Sequence, residues 1–94
     1  MGSNLRVDGT RLVSRLMALA AIGATPEGGC RRLALTDEDR QGRDWLVAEM
    51  TALGLAVKID AIGNIVGILK GREEGPAVIL GSHIDTVGTG GRYD

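Results

Sequence analysis

The sequence predicts an α/β fold, a partial layered sheet with flanking helices. Two stretches, over residues 9–22 and 37–53, carry apolar residues at helical spacing. They are followed by alternating and continuously apolar segments, which are typical of strands. A chain of 94 residues has room for one domain with a thin core. Two helices can cover the faces of such a sheet, which favours a layered architecture.

The first helix is predicted to begin after Asp8 and to end before Gly23. Its apolar stripe consists of Leu12, Val13, Leu16, Met17 and Ala20. Asp8 is a good N-cap, because its carboxylate can accept a hydrogen bond from a free amide of the first turn. Gly23 can adopt the left-handed conformation that ends many helices.

A surface loop is predicted over residues 23–35, and a loop of this length is often functional. It carries Cys30, the single cysteine, which we expect to be a spare thiol in a polar loop. Because one cysteine cannot form an internal disulfide, nothing indicates an oxidising compartment, and a cytoplasmic location is expected.

The second helix is predicted to be capped by Thr36 and to end at Gly54. Three carboxylates in its first turn are stabilised by the positive end of the helix dipole, and Asp39 provides a weak capping box. Its predicted buried face consists of Trp45, Leu46, Met50 and Leu53.

Three strands are predicted after the second helix. Residues 55–59 alternate between apolar and polar, and residues 65–69 form a second strand that returns antiparallel after Gly63 and Asn64. Residues 77–80 are continuously apolar, which indicates an inner strand covered on both faces.

Charge and hydropathy exclude two classes of partner. The chain has 11 Lys and Arg against 12 Asp and Glu, so it lacks the basic excess that nucleic-acid binding requires. It also lacks the run of about 20 apolar residues that a membrane span needs. We therefore expect neither nucleic acid nor membrane as a partner.

The most informative polar residues follow the predicted inner strand. Ligands of open α/β sheets bind beyond the carboxyl ends of the strands, where His83 and Asp85 fall. In extended chain these two side chains share one face. That arrangement suits a metal-binding histidine oriented by a carboxylate. A histidine that is hydrogen-bonded in a structural turn is the alternative.

Asp94 follows a glycine-rich turn that can fold back toward His83. One carboxylate can bridge two metal ions, and a solvated carboxylate at the end of a flexible loop is the alternative. A nucleophilic role for Ser82, Thr86 or Cys30 with His83 as base is less favoured. A basic group that could face a carboxylate substrate consists of Arg31, Arg32, Arg40 and Arg43. The two on the predicted second helix are more simply solvated.

Taken together, five short motifs resemble a known family. In order they are IGATPEGG (22–29), LTDEDR (35–40), DAIGN (60–64), GSHIDTV (81–87) and GGRYD (90–94). As a set they resemble the dinuclear metal amidohydrolases of the M20 type, which include N-carbamoyl-L-amino-acid hydrolases, β-ureidopropionases and allantoate amidohydrolases. Gly88 stands where the family often has proline.

The resemblance implies a site with two divalent metal ions, Zn, Mn, Co or Ni. His83 would bind one ion, Asp94 would bridge both, and Asp85 would serve the catalytic site by supporting the histidine. Asn64 matches a loop position without an assigned chemical role. The implied substrate is a small N-carbamoyl or ureido compound, and the implied assembly is a homodimer.

Members of the family are several times longer, and their remaining ligands and general base would follow Asp94. The resemblance therefore implies that residues 1–94 are the N-terminal portion of a single zinc-peptidase-like catalytic domain, inactive by itself. The alternative is a small non-catalytic α/β module with a structural His83 and Asp85 turn, acting in assembly or regulation.

Overall fold

The computed structural model describes residues 5–94 and has two helices followed by a two-stranded sheet. The elements are α1 (Gly9–Ala20), α2 (Asp37–Ala52), β1 (Ala56–Ile59) and β2 (Ile65–Ile68). The predicted α/β class is thereby confirmed, as are the order of these four elements and the antiparallel pairing of β1 with β2. No helix of residues 5–94 combines the length and apolar character that crossing a bilayer requires.

Both helices begin at the predicted caps. The Asp8 carboxylate accepts a hydrogen bond from the backbone N–H of Arg11 at 3.0 Å. The Thr36 hydroxyl accepts one from the N–H of Asp39 at 3.2 Å. The Asp39 carboxylate in turn accepts the N–H of Leu35 at 3.1 Å, one residue before the position of a regular capping box. Local capping chemistry therefore sets where each helix starts.

The hairpin of β1 and β2 packs against α2. Its register pairs Ala56 with Ile68 and Ile59 with Ile65. A Cβ atom at Gly67 would lie 2.9 Å from a Leu55 methyl carbon and 3.0 Å from the Met50 sulfur. The glycine therefore lets the Met50 side chain of α2 lie close against the middle of β2.

The predicted inner strand over residues 77–80 is wrong for this structure. These residues form no strand, and Val78, Ile79 and Leu80 are 90%, 87% and 92% exposed. A strand needs a hydrogen-bonded neighbour, and β2 is bonded to β1 alone within the described part of the chain. Apolar character alone therefore does not make this segment a strand, and it is not covered on either face.

The hydrophobic core is thin, as the chain length predicts. Among residues 5–94 the buried apolar side chains are Ala20 and Cys30. The predicted buried faces of the helices are partly wrong, because Leu12, Val13 and Leu53 are 48%, 51% and 57% exposed. With so little apolar burial, other interactions must hold the helices and the later segments together.

We expect the chain to self-associate through an exposed apolar face formed by β2 and residues 77–80. Exposed apolar patches of this kind and unpaired strand edges favour association. The substitution Ile79→Lys should shift the chain toward monomer in concentration-dependent sizing chromatography, because it places a charge in the face. Ile62→Lys is the matched control, since Ile62 is also 87% exposed but lies outside the face. A monodisperse wild-type monomer with a sharp cooperative melt would contradict this expectation.

Gly42→Ala should destabilise the chain although alanine is favoured over glycine inside a helix by about 1 kcal/mol. A Cβ at this position of α2 would lie 2.8 Å from the Arg32 Cδ atom, in the middle of a buried side chain. Overpacking of this kind costs about 1–3 kcal/mol, so we expect a lower free energy of unfolding in urea. Gly9→Ala, where a Cβ meets nothing within 4 Å, is the control. An equal gain in stability for both variants, measured in the Ile79→Lys background, would refute the argument.

Candidate metal centre

His83 and Asp85 form a hydrogen-bonded pair. The His83 Nδ1 atom lies 2.9 Å from the Asp85 carbonyl oxygen and 3.4 Å from its carboxylate oxygen Oδ1. A carbonyl oxygen can only accept a hydrogen bond, so a neutral ring in this position carries its proton on Nδ1. The second nitrogen, Nε2, is left with its lone pair. The structure thus places the two side chains on one side, as the sequence predicts.

The pair fits half of what a metal centre requires. A metal-binding histidine ordinarily donates its other ring N–H to a carboxylate or a backbone carbonyl, and Asp85 provides both acceptors. Both side chains are accessible, at 60% and 48% exposure. Within residues 5–94, however, no three His, Cys, Asp or Glu side chains come together as a metal-binding group. Since a catalytic zinc takes about three protein ligands, these residues supply only part of a centre.

Asp94 lies on a loop that folds back as the glycines predict. Its carboxylate accepts the backbone N–H of Val87 at 3.2 Å. A Cβ at Gly90 would lie 2.8 Å from the Thr86 Cβ and 3.0 Å from the Asp94 carboxylate, so only glycine allows this close return of the chain. The structure does not join Asp94 to the His83 and Asp85 pair by a hydrogen bond, and its role as a bridging ligand stays a prediction.

The loop between α1 and α2 holds the segment that carries the pair. Thr86 is bonded twice to Arg32: its N–H donates to the Arg32 carbonyl at 2.7 Å, and its hydroxyl accepts the Arg32 N–H at 2.7 Å. The Cys30 N–H donates to the Gly90 carbonyl at 2.8 Å. Arg92 reaches back to the Gly28 carbonyl at 2.8 Å. These hydrogen bonds therefore fix residues 84–92 against the predicted surface loop.

Two expectations for this loop are wrong. Cys30 is 1% exposed, and its sulfur lies 3.0 Å from an Arg32 nitrogen, so it is not a spare thiol in a polar loop. Arg32 is 2% exposed, so it does not belong to an exposed basic group that could face a substrate. Its neighbour Arg31 is exposed, as is Arg40. Two sequence signals favoured this loop, its length and the motif IGATPEGG (22–29), and neither predicted the burial of Arg32.

The less favoured nucleophiles gain no support from the structure. The Thr86 hydroxyl is buried and bonded both to the Arg32 N–H and to the Cys30 carbonyl. The Cys30 thiol is buried beneath the loop. Ser82 lies next to His83 at the surface, and no hydrogen bond joins the two side chains.

An open cavity of about 320 Å³ lies beside the pair, and its volume falls within the range of small-molecule sites. Asp39, Arg43 and Leu46 of α2 form one wall. The turn between β1 and β2 forms another, and residues 82–85 form the third. The His83 and Asp85 side chains therefore face a space that can hold a small polar ligand.

Asn64 has a structural role that the sequence did not reveal. Its side-chain amide donates to one Asp60 carboxylate oxygen at 2.8 Å, and its N–H donates to the other at 2.8 Å. The Ile62 N–H adds a third bond at 3.1 Å. The hydrogen bond from the Asn64 side chain is the main reason that the pKa of Asp60 lies below its ordinary value, and backbone hydrogen bonds add to it. These bonds close the turn that forms one wall of the cavity.

The chain is similar to known proteins in both sequence and backbone. It is 42% identical over 89 residues to an N-carbamoyl-L-amino acid amidohydrolase of Geobacillus stearothermophilus, covering 94% of this chain and 22% of that protein. It is 37% identical over 95 residues to a ureidoglycolate hydrolase of Arabidopsis thaliana, covering 100% of this chain and 20% of that one. No family model matches the chain.

A solved structure supports the same relationship. The crystal structure of a hydantoinase/carbamoylase family amidase from Burkholderia vietnamiensis superposes with a TM-score of 0.91 at 46% identity, covering 98% of this chain and 22% of that chain. The similarities place the chain among the amidohydrolases in ancestry and fold. Within that class it belongs to the hydantoinase/carbamoylase family of amidases. It spans about a fifth of the length of these relatives.

Asn64→Ala should raise the pKa of Asp60 toward its ordinary value of 3.8, because it removes the largest cause of the lowering. A lowered pKa in the folded state contributes stability above the ordinary value, and this is lost as the pH falls through the folded-state pKa. The variant should therefore lose less stability than the wild type on acidification. NMR titration of the Asp60 carboxyl carbon measures the shift. Ile62→Ala keeps the backbone donor and should leave the titration unchanged, whereas equal curves for Asn64→Ala and the wild type would disprove the assignment.

Proposed function

We propose that the complete protein is a metal-dependent hydrolase of linear amide or ureido C–N bonds, similar to N-carbamoyl amino acid amidohydrolases. In this proposal the chain is the N-terminal portion of a single catalytic domain. The observation that carries it is the ring of His83, held through Nδ1 by Asp85 beside an open cavity. The relationship to hydantoinase/carbamoylase amidases supports the same kind of chemistry.

Each of three residues has a distinct task in this proposal. His83 would hold one metal ion with the ring nitrogen that Asp85 leaves free, and Asp94 would be a ligand shared by two ions. Asp85 does not bind metal; it holds the proton on Nδ1 and makes the ring a stronger donor. Imidazole among the ligands favours Zn, Mn, Co or Ni over Mg or Ca. When bound, two such ions lower the pKa of a water molecule and polarise the carbonyl group of the substrate.

The proposed substrate is a small N-carbamoyl or ureido compound. One relative is named for N-carbamoyl-L-amino acids and another for ureidoglycolate, and both names describe compounds with a C–N bond of this kind. The cavity beside His83 has the volume for such a molecule. A homodimer in the cytoplasm completes the proposal, on the basis of the family resemblance and the single cysteine.

His83→Ala and Asp85→Asn should separate binding of the metal from support of its ligand. In the protein expressed from its complete reading frame, we expect His83→Ala to lose bound metal and activity. Asp85→Asn keeps the ligand but weakens its orientation, so metal affinity or activity should fall by about 10–100-fold. Ser82→Ala is the control, since this neighbouring hydroxyl has no role in the proposal.

Metal content is measured by mass spectrometry after gentle purification, and activity by release of product from a panel of N-carbamoyl amino acids and ureidoglycolate. Equal metal content in the wild type and His83→Ala would contradict the proposal. So would a natural reading frame that supplies no further His or Glu ligands. Either result would favour the alternative, a small α/β module in which His83 and Asp85 form a structural turn.

A further inference from the structure

Arg32 is a buried cation that the proposed chemistry does not use. Its side chain is 2% exposed, and within the described part of the chain no carboxylate lies within ion-pair distance of its guanidinium. Buried charges are rare without a partner, because desolvation costs several kcal/mol. Groups other than a carboxylate must therefore compensate for the desolvation of the Arg32 guanidinium.

The balance comes from backbone carbonyls and one sulfur. The Arg32 Nη1 atom donates to the carbonyls of Leu19 and Ile22 at 2.9 and 2.7 Å and lies 3.0 Å from the Cys30 sulfur. Leu19 and Ile22 lie at the carboxyl end of α1, where free carbonyls and the negative end of the helix dipole favour a cation. The last turn of α1 has no basic residue of its own, so Arg32 takes that place.

The same guanidinium reaches the candidate metal centre. Its Nε atom donates to the Ile84 carbonyl at 2.8 Å, and this carbonyl belongs to the peptide unit that precedes Asp85. The Arg32 carbonyl accepts the N–H of Thr86, which belongs to the peptide unit that follows Asp85. One residue therefore fixes both peptide planes that flank Asp85.

We propose that Arg32 is a positioning residue for the His83 and Asp85 pair. It acts through the backbone of Asp85, whose carbonyl and carboxylate both face the Nδ1 atom of His83. If that backbone turns, both acceptors move together and the proton is no longer held on Nδ1. The consequence for metal binding rests on the proposed function, whereas the consequence for the histidine ring does not.

The ring can be observed directly, because His83 is the one histidine of the chain. We would record the ¹⁵N signals of the two ring nitrogens at a pH high enough for free histidine to be neutral. The Ile79→Lys background is used because it opposes association. The variants are Arg32→Met, Arg32→Lys and, as matched control, Arg31→Met at the exposed neighbour. Helical circular dichroism and Trp45 fluorescence report whether each variant is folded.

We expect the Nδ1–H form to dominate in the wild type and in Arg31→Met. In folded Arg32→Met, which keeps the backbone bonds to Thr86 but loses the bond to the Ile84 carbonyl, the ratio of the two neutral forms should move toward that of free histidine in the same buffer. Arg32→Lys should restore part of the Nδ1–H population, since one ammonium can reach some of the carbonyls. A folded Arg32→Met with the wild-type ratio would overturn the proposal, and so would a wild type without an excess of the Nδ1–H form.

A second measurement needs no substitution at Arg32. In the wild-type sequence with Ile79→Lys, the Arg32 Nε–H should exchange with solvent at least about tenfold more slowly than the Nε–H of Arg31, because it is buried and hydrogen-bonded. Equal exchange rates would overturn the proposal even where every Arg32 variant fails to fold. Binding of Co²⁺ by the complete protein is scored separately. Its absence, with the histidine result as expected, would count against the proposed function alone.

Discussion

The guanidinium of Arg32 lies at the one point where most of the described structure meets. The end of α1, the loop that follows it and the segment beside His83 all contribute acceptors, and Gly42 makes room for the side chain against α2. Hydrogen bonds from a charged donor stabilise by about 1.5–3 kcal/mol each, so several together can offset the desolvation of a buried cation. The end of α1, the loop and the segment beside His83 cannot shift without breaking bonds to this one guanidinium.

In this chain the hydrogen bonds around Arg32 hold together segments that larger proteins hold together by packing an apolar core. Ala20 and Cys30 are the buried apolar side chains of the described residues, so apolar packing contributes little to holding these segments together. Hydrogen bonds are directional, whereas the hydrophobic effect is not. Hydrogen bonds to the backbone therefore position the candidate centre. The apolar residues 77–80 are exposed and contribute no burial.

Local chemistry explains what could be predicted from the sequence and what could not. The helix starts depend on Asp8 and Thr36 and on amides within three residues, so the local sequence predicts them. The shared face of His83 and Asp85 follows from alternation along an extended chain. The burial of Arg32 depends on partners 52 and 54 residues away, which no local pattern contains. The strand predicted over residues 77–80 is wrong for the opposite reason. The local pattern indicates a strand, but a strand also needs a hydrogen-bonded neighbouring strand.

The bond between Arg32 and Thr86 also has a kinetic consequence, because it joins positions 54 residues apart. Closing a flexible loop of that length costs about 3.5 kcal/mol in chain entropy plus a constant. The two helices and the hairpin need only short-range contacts and can form in microseconds, before this closure. We therefore expect the segments of Arg32 and Thr86 to come together after the helices and the hairpin have formed. A chain whose helices are already formed can still lack an ordered segment around His83.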